Sequence, residues 1–254
     1  MQSAPDVSLA VPVRSRSAAG LRAAETIVVI GCGGGAGAST VVAGLARAAG
    51  RSIRRVAVLD LDRYGGGLDV VFGIEREEGV RWAQVAGSQG ELDGPALHEA
   101  LPSSAAAVVL SYGREVTAVP RHVVEASIEA LSGICDVLLV DAPRGADLHL
   151  IAPAAAVVVV GDGSVRGGAA CGAVVQSLRT AGREPVVVLR DASEQFADEL
   201  ADAVSVQVVA HLASERRVEH DLSRGDQPGS RGELARVCDR LIELLLDRRA
   251  STAA

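Results

Sequence analysis

Short apolar runs alternate along this chain with longer segments of helical spacing. Seven runs, at 27–30, 54–62, 105–110, 135–141, 155–160, 185–189 and 206–210, are built mostly of Val, Leu, Ile and Ala. Continuous runs of this kind predict strands buried on both faces, as in a parallel sheet. Between them the apolar residues recur every three or four positions. That spacing predicts helices over 39–50, 95–101, 120–131, 165–180, 194–203, 217–223 and 233–246, with a short helix after the glycines at 65–67. Pro95 and Pro120 stand at helix starts, and Gly182 closes the helix over 165–180. Strands alternating with helices predict an α/β fold: a doubly wound, mostly parallel sheet of seven to eight strands with helices on both faces. One domain is expected over 25–249. The Ser-, Ala- and Pro-rich residues 1–24 read as a disordered tail, as do residues 250–254.

Composition narrows the classes. Of 254 residues 48% are hydrophobic but only 2% aromatic, so the core must be aliphatic. The net charge is −7, which argues against a general nucleic-acid binder. The chain has no lysine; all 25 basic residues are arginine. Cys32, Cys135, Cys171 and Cys238 are far apart and form no metal-ligand spacing, so zinc is not expected. A reduced, cytoplasmic setting is the expectation. No apolar run reaches the length of a membrane span, and no signal-peptide core is visible.

The chemistry concentrates in TIVVIGCGGGAGAST, residues 26–40. A strand, a glycine cluster and a helix start follow in order, the arrangement that cradles phosphate on backbone N–H groups and a helix N-terminus. Two motifs fit. One is the P-loop G-x-x-x-x-G-K-[ST], whose end matches Gly37-Ala38-Ser39 except for the lysine. The other is the dinucleotide fingerprint, matched by Gly31, Gly33 and Ala36. For the fingerprint, Asp60 lies late as a ribose ligand, 29 residues beyond Gly31. Three aspartates at strand ends favour the P-loop. Asp141 follows VLLV as in a Walker B strand, and Asp60 and Asp62 end another run. A magnesium ion needs the loop hydroxyl, here Ser39, together with such a carboxylate.

At these residues the chain resembles the MinD/ParA group of deviant P-loop ATPases. The loop at 33–40, the LDLDRYGGGLD segment, the LLVDAPRG segment and VVAHLASERRVEHDLSRGDQP match that group's motifs in order. Within the group it is most similar to CpaE/TadZ-like proteins of tight-adherence (Flp) pilus loci and to actinobacterial septum-site-determining proteins. The resemblance implies that Gly33, Gly34, Gly35, Ala36, Gly37, Ala38, Ser39 and Thr40 bind ATP. It implies that Ser39, Asp60 and Asp141 hold Mg2+, and that Asp62 orients the attacking water. It also implies an ATP-linked homodimer that positions pilus-assembly or cell-division proteins at the cell pole or septum.

Both family lysines are missing: Ala38 replaces the loop lysine and Gly33 the signature lysine. Losing comparable charge stabilisation costs about 10²–10³ in rate, so weak hydrolysis or none is expected. Arg63, Arg144 and Arg217 are candidates to replace the charge, although a lone arginine is ordinarily a surface residue. The readings that remain are a scaffold that binds ATP without brisk turnover, a slow ATPase with arginine compensation, a pseudo-site that binds no nucleotide, and, least favoured, a nicotinamide-linked oxidoreductase. His211 and His220 lack partner spacing. Trp82 reads as core, and Tyr112 could line the crevice or pack. The stripe Leu234, Val237, Leu241, Leu244 and Leu245 reads as a packing face, which leaves little for membrane contact.

Overall fold

The computed structural model describes residues 24–52, 54–115, 117–147 and 156–252, with side chains described up to residue 247. The expected tail at 1–24 lies outside these residues except for Ala24, which is buried and donates its N–H to the Ser132 carbonyl at 2.9 Å.

Seven strands form one sheet: β1 (Glu25–Gly31), β2 (Val56–Asp60), β3 (Val108–Leu110), β4 (Val137–Ala142), β5 (Ala156–Asp162), β6 (Val186–Arg190) and β7 (Gln207–Leu212). Their order is β3-β2-β4-β1-β5-β6-β7, and every neighbouring pair is parallel. The helices are α1 (Ala38–Arg51), α2 (Leu68–Val71), α3 (Trp82–Val85), α4 (Gly94–Ala100), α5 (Arg121–Ser132), α6 (Val165–Thr180), α7 (Glu194–Val204), α8 (Arg216–Arg224) and α9 (Glu233–Thr252). The α/β architecture expected from the apolar runs is the one observed.

The strand period of two divides the core. Val28 and Ile30 of β1, with Leu138 and Val140 of β4, face a cluster that includes Ile128 of α5, Val175 of α6 and Leu200 of α7. Ile27, Val29, Val137 and Leu139 face the opposite cluster, which holds Leu45 of α1 and Leu241 of α9. Side chains that alternate between two apolar layers account for the absence of polar alternation in these runs. The stripe on α9 is buried as expected at Leu234, Val237, Leu241 and Leu245, with Leu244 partly so. It closes against α1 and β7.

Three of the boundaries that differ from the sequence reading have a visible cause. The third strand starts at Val108 rather than Ala105, because residues 104–107 close a turn in which Ser104 N–H donates to the Ala107 carbonyl. β2 stops at Asp60, whose carboxylate takes the Asp62 N–H and turns the chain away. α9 continues to Thr252, past Leu246 and into the tail expected at 250–254, because DRRAST contains no glycine or proline to stop it.

Candidate functional site

β1 is central, and the chain leaves it on one side toward β2 and β4 and on the other toward β5. Ligands of doubly wound sheets bind at such a reversal, outside the carboxyl ends of the strands. The loop after β1 occupies that place, and a cleft of about 780 Å³ opens there. A volume of that order suits a nucleotide-sized ligand.

The loop is shaped for backbone exposure. Gly35 and Gly37 have φ of 77° and 96°, values a β-carbon disfavours. Gly33 and Gly34 have no such constraint, and a β-carbon on either would meet nothing within 4 Å. The fold itself therefore does not require glycine at 33 and 34, and without side chains there the backbone of the loop is open to the cleft. Gly37 precedes α1 and offers no side-chain cap, so the first N–H groups of α1 are left to the cleft, where Ala38, Ser39 and Thr40 line the wall.

Ser39 donates its hydroxyl to Asp141 Oδ2 at 2.6 Å. Asp141 is buried, and burial pushes its carboxyl up to about 6; the Ser39 hydrogen bond opposes the shift and nearby Asp62 adds to it. A buried carboxylate beside a loop hydroxyl and a second carboxylate fits a divalent cation, which would offset the charge that burial disfavours. Asp62 lines the same cleft and accepts the Tyr64 N–H at 3.2 Å.

Asp60 is placed differently. It pairs with Asp141 in register across β2 and β4, yet its side chain does not line the cleft. Its two oxygens accept the N–H groups of Asp62 at 3.0 Å and Leu68 at 2.9 Å, which fixes the turn leading into α2. Burial pushes Asp60 up to about 7, against the Leu68 hydrogen bond. The role visible for Asp60 is to hold the Asp62 turn, while Ser39 and Asp141 could hold magnesium.

The arginines separate in the same way. Arg144 lines the cleft. Arg63 lies over the Tyr64 ring at 5.6 Å, and Arg217 stands 3.9 Å from Asp221; neither lines the cleft. Arg190, which the sequence reading did not single out, does, from the carboxyl end of β6. Its only signal in the sequence is that it closes the apolar run VVVLR. His211 and His220 are exposed on β7 and α8.

Supporting residues complete the site. Trp82 is fully buried, as expected of core, and its indole N–H donates to the Asp60 carbonyl at 2.6 Å. Tyr112 packs with its ring centroid 6.1 Å from that of Trp82. Two features were not read from the sequence. Asp69 is buried and paired with Arg114 at 2.5 Å and Arg81 at 3.8 Å. Gln227 is buried and donates to the Ala43 carbonyl at 3.0 Å, while Arg47 of the same helix donates to the Gln227 and Pro228 carbonyls. The turn after α8 is thus clamped to α1.

A family model described as ParA, NUBPL iron-transfer P-loop NTPase, matches residues 22–163, more than half of the chain. An uncharacterized protein of Mycobacterium tuberculosis is 32% identical over 208 residues. That match takes in 78% of this chain, which spans 57% of the relative's length. A ParA family ATPase from Chlorobium tepidum TLS superposes with a TM-score of 0.75 at 16% identity, over 89% of this chain and 98% of that one. MinD from Pyrococcus horikoshii OT3, solved with Mg-ADP, superposes with a TM-score of 0.70 at 19% identity, over 90% and 99%. At such identities the superpositions speak for the fold. With the glycine loop, the Ser39–Asp141 contact and the matched 22–163 segment in place, the chain belongs to the ParA family of P-loop NTPases.

Proposed function

We propose that this chain binds ATP with Mg2+ and acts as a localisation scaffold with weak hydrolysis or none. The observation that carries the reading is Ser39 held 2.6 Å from buried Asp141 at the mouth of an exposed glycine loop. That arrangement suits magnesium and phosphate together, and the Mg-ADP found in the Pyrococcus horikoshii MinD is consistent with it. Backbone N–H groups from Gly34 to Thr40 would take the phosphates. Ser39 and Asp141 would hold the ion, which supplies charge to offset the phosphates, and Asp62 would orient water. Ala38 leaves the loop without a lysine, so turnover is expected to be about 10²–10³ below that of a lysine-bearing relative.

In this reading two copies meet face to face across their clefts when ATP is bound. Tyr64, 84% exposed at the cleft rim, is suited to such a contact. Its task in this reading is pilus assembly or septum placement, which the likeness of the loop and the LDLDRYGGGLD segment to CpaE/TadZ-like proteins supports.

Calorimetry with ATP, with and without magnesium, tests the reading on the wild type, Ser39→Ala and Asp141→Ala. Magnesium-dependent binding that both substitutions weaken about tenfold or more is the expected result. No heat of binding at millimolar ATP would leave a pseudo-site whose surface does the work.

A further inference from the structure

Arg144 and Arg190 are the arginines that line the cleft among the described residues, and they are held in different ways. Arg144 sits on an exposed turn after β4. Arg190 is the last residue of β6, with its backbone fixed from both sides: its carbonyl accepts the Gly163 N–H at 3.0 Å, and the next N–H, of Asp191, donates to the Leu212 carbonyl at 2.8 Å. Its side chain lies against the glycine loop. Nη1 is 3.1 Å from the point a β-carbon on Gly37 would occupy, one residue before Ala38. Gly37 is demanded by its φ of 96°, and a β-carbon there would also crowd this guanidinium.

Asp191 orients the arginine. It adopts φ 51°, a left-handed conformation shared among the described non-glycine residues only with Ser205. Such outliers persist where surrounding structure over-determines them. Here the Asp191 carboxylate accepts Ser214 N–H at 2.6 Å and the Ser214 hydroxyl at 2.5 Å. The same carboxylate stands 3.5 Å from Arg190 Nε, an ion-pair contact that is not a hydrogen bond. Nε is buried and has no hydrogen-bond partner. Nε faces Asp191, which leaves Nη1 as the end of the guanidinium that lies against the loop. An arginine held in this way beside a phosphate-shaped loop suits an anion.

We propose that Arg190 supplies the cation of the phosphate site that Ala38 does not. The proposal rests on the ATP–magnesium reading above and adds a residue to it. Charge reaches the loop from β6, across the sheet, instead of from within the loop. Arg190 and the backbone N–H groups beside Gly37 then take the same phosphates, and Asp191 is a positioning residue.

Calorimetry with MgATP, MgADP and adenosine tests it on the wild type, Arg190→Ala, Arg190→Lys, Arg217→Ala, Ala38→Lys and the Arg190→Ala/Ala38→Lys double variant. Thermal melts establish that each is folded. Arg190→Ala is expected to weaken MgATP about tenfold or more. Adenosine binding and the Arg217→Ala variant should be unchanged, and Arg190→Lys should fall between wild type and alanine. Ala38→Lys should restore the affinity lost by Arg190→Ala, which a merely structural arginine would not allow. Three results overturn the proposal: Arg190→Ala binds MgATP like wild type, adenosine is lost in parallel with ATP, or the double variant shows no recovery. A wild type that binds no MgATP removes the nucleotide reading itself, and this proposal with it.

Discussion

Ser39 and Asp141 lie 102 residues apart in sequence and meet at 2.6 Å. The contact joins the first turn of α1 to the end of β4, so the loop and its acidic partner are held together before any ligand arrives. Removing the hydroxyl leaves a buried carboxylate without that donor. Ser39→Ala is therefore expected to destabilise the magnesium-free protein by about 1–3 kcal/mol. A urea unfolding midpoint identical to wild type would mean the contact contributes nothing to the fold.

The buried carboxylates make stability fall as pH rises. Asp60 and Asp141 are pushed up to about 7 and about 6, mainly by burial, from an ordinary 3.8. Between about pH 4 and pH 7 the folded protein binds more protons than the unfolded chain, so the stabilisation is fully present below about pH 4 and is lost as pH rises through 6 to 7. Each tenfold change in proton affinity is worth about 1.4 kcal/mol, so the change from these two groups is at most on the order of 7 kcal/mol. Magnesium-free protein should melt higher at pH 5 than at pH 8, and magnesium should narrow the gap by stabilising the ionised Asp141. Melts that rise from pH 5 to pH 8 without magnesium would exclude this account.

Trp82 is the single tryptophan of the chain, so its fluorescence reports one place. Its N–H satisfies the Asp60 carbonyl at the end of β2. Trp82→Phe keeps most of the packing and leaves that buried carbonyl unpaired, at about 1–3 kcal/mol. Trp82→Ala adds a cavity, and about 3–5 kcal/mol is expected. Chemical unfolding followed by circular dichroism distinguishes the two, and a Trp82→Phe midpoint equal to wild type would show that the hydrogen bond is immaterial.

Gly44 on α1 faces Cys238 on α9 so closely that a β-carbon would stand 2.6 Å from the Cys238 sulfur and 3.3 Å from Leu234 Cδ1. Helix propensity alone favours alanine by up to about 1 kcal/mol. Overpacking of this seam should outweigh it, leaving Gly44→Ala destabilised by about 1–3 kcal/mol. Combining it with Cys238→Ala should recover most of the loss. Strict additivity in the double-mutant cycle would show that the two residues do not press on each other.

The sheet was legible because its strands are continuous aliphatic runs, and Ile27, Val28, Val29 and Ile30 have an apolar layer on either side. The loop and Asp141 were legible because their spacing reflects a local need for exposed backbone next to acid. The turn-holding role of Asp60 was not legible because a carboxylate at a strand end serves a metal or a turn equally well in sequence, and here its oxygens hold two backbone N–H groups. Arg190 was missed because its relation to Gly37 exists only once β6 lies two strands from β1. Asp69 and Gln227 were missed for the same reason: their partners Arg114 and Ala43 are 45 and 184 residues away.

The clamp of Gln227 and Arg47 bears on how the chain can be cut. The helix that begins at the phosphate loop is gripped from behind by residues near 227 and covered by α9. A fragment ending near residue 163, where the family match stops, would carry the glycine loop, Asp60, Asp62 and Asp141 and still leave Leu45 and its neighbours open to water. The glycine loop and its three aspartates occupy the first two thirds of the chain, but their rigidity is supplied by the last third. Limited proteolysis should therefore release no stable amino-terminal piece with the loop intact, and nicking near 225–230 should loosen the loop from a distance of many residues.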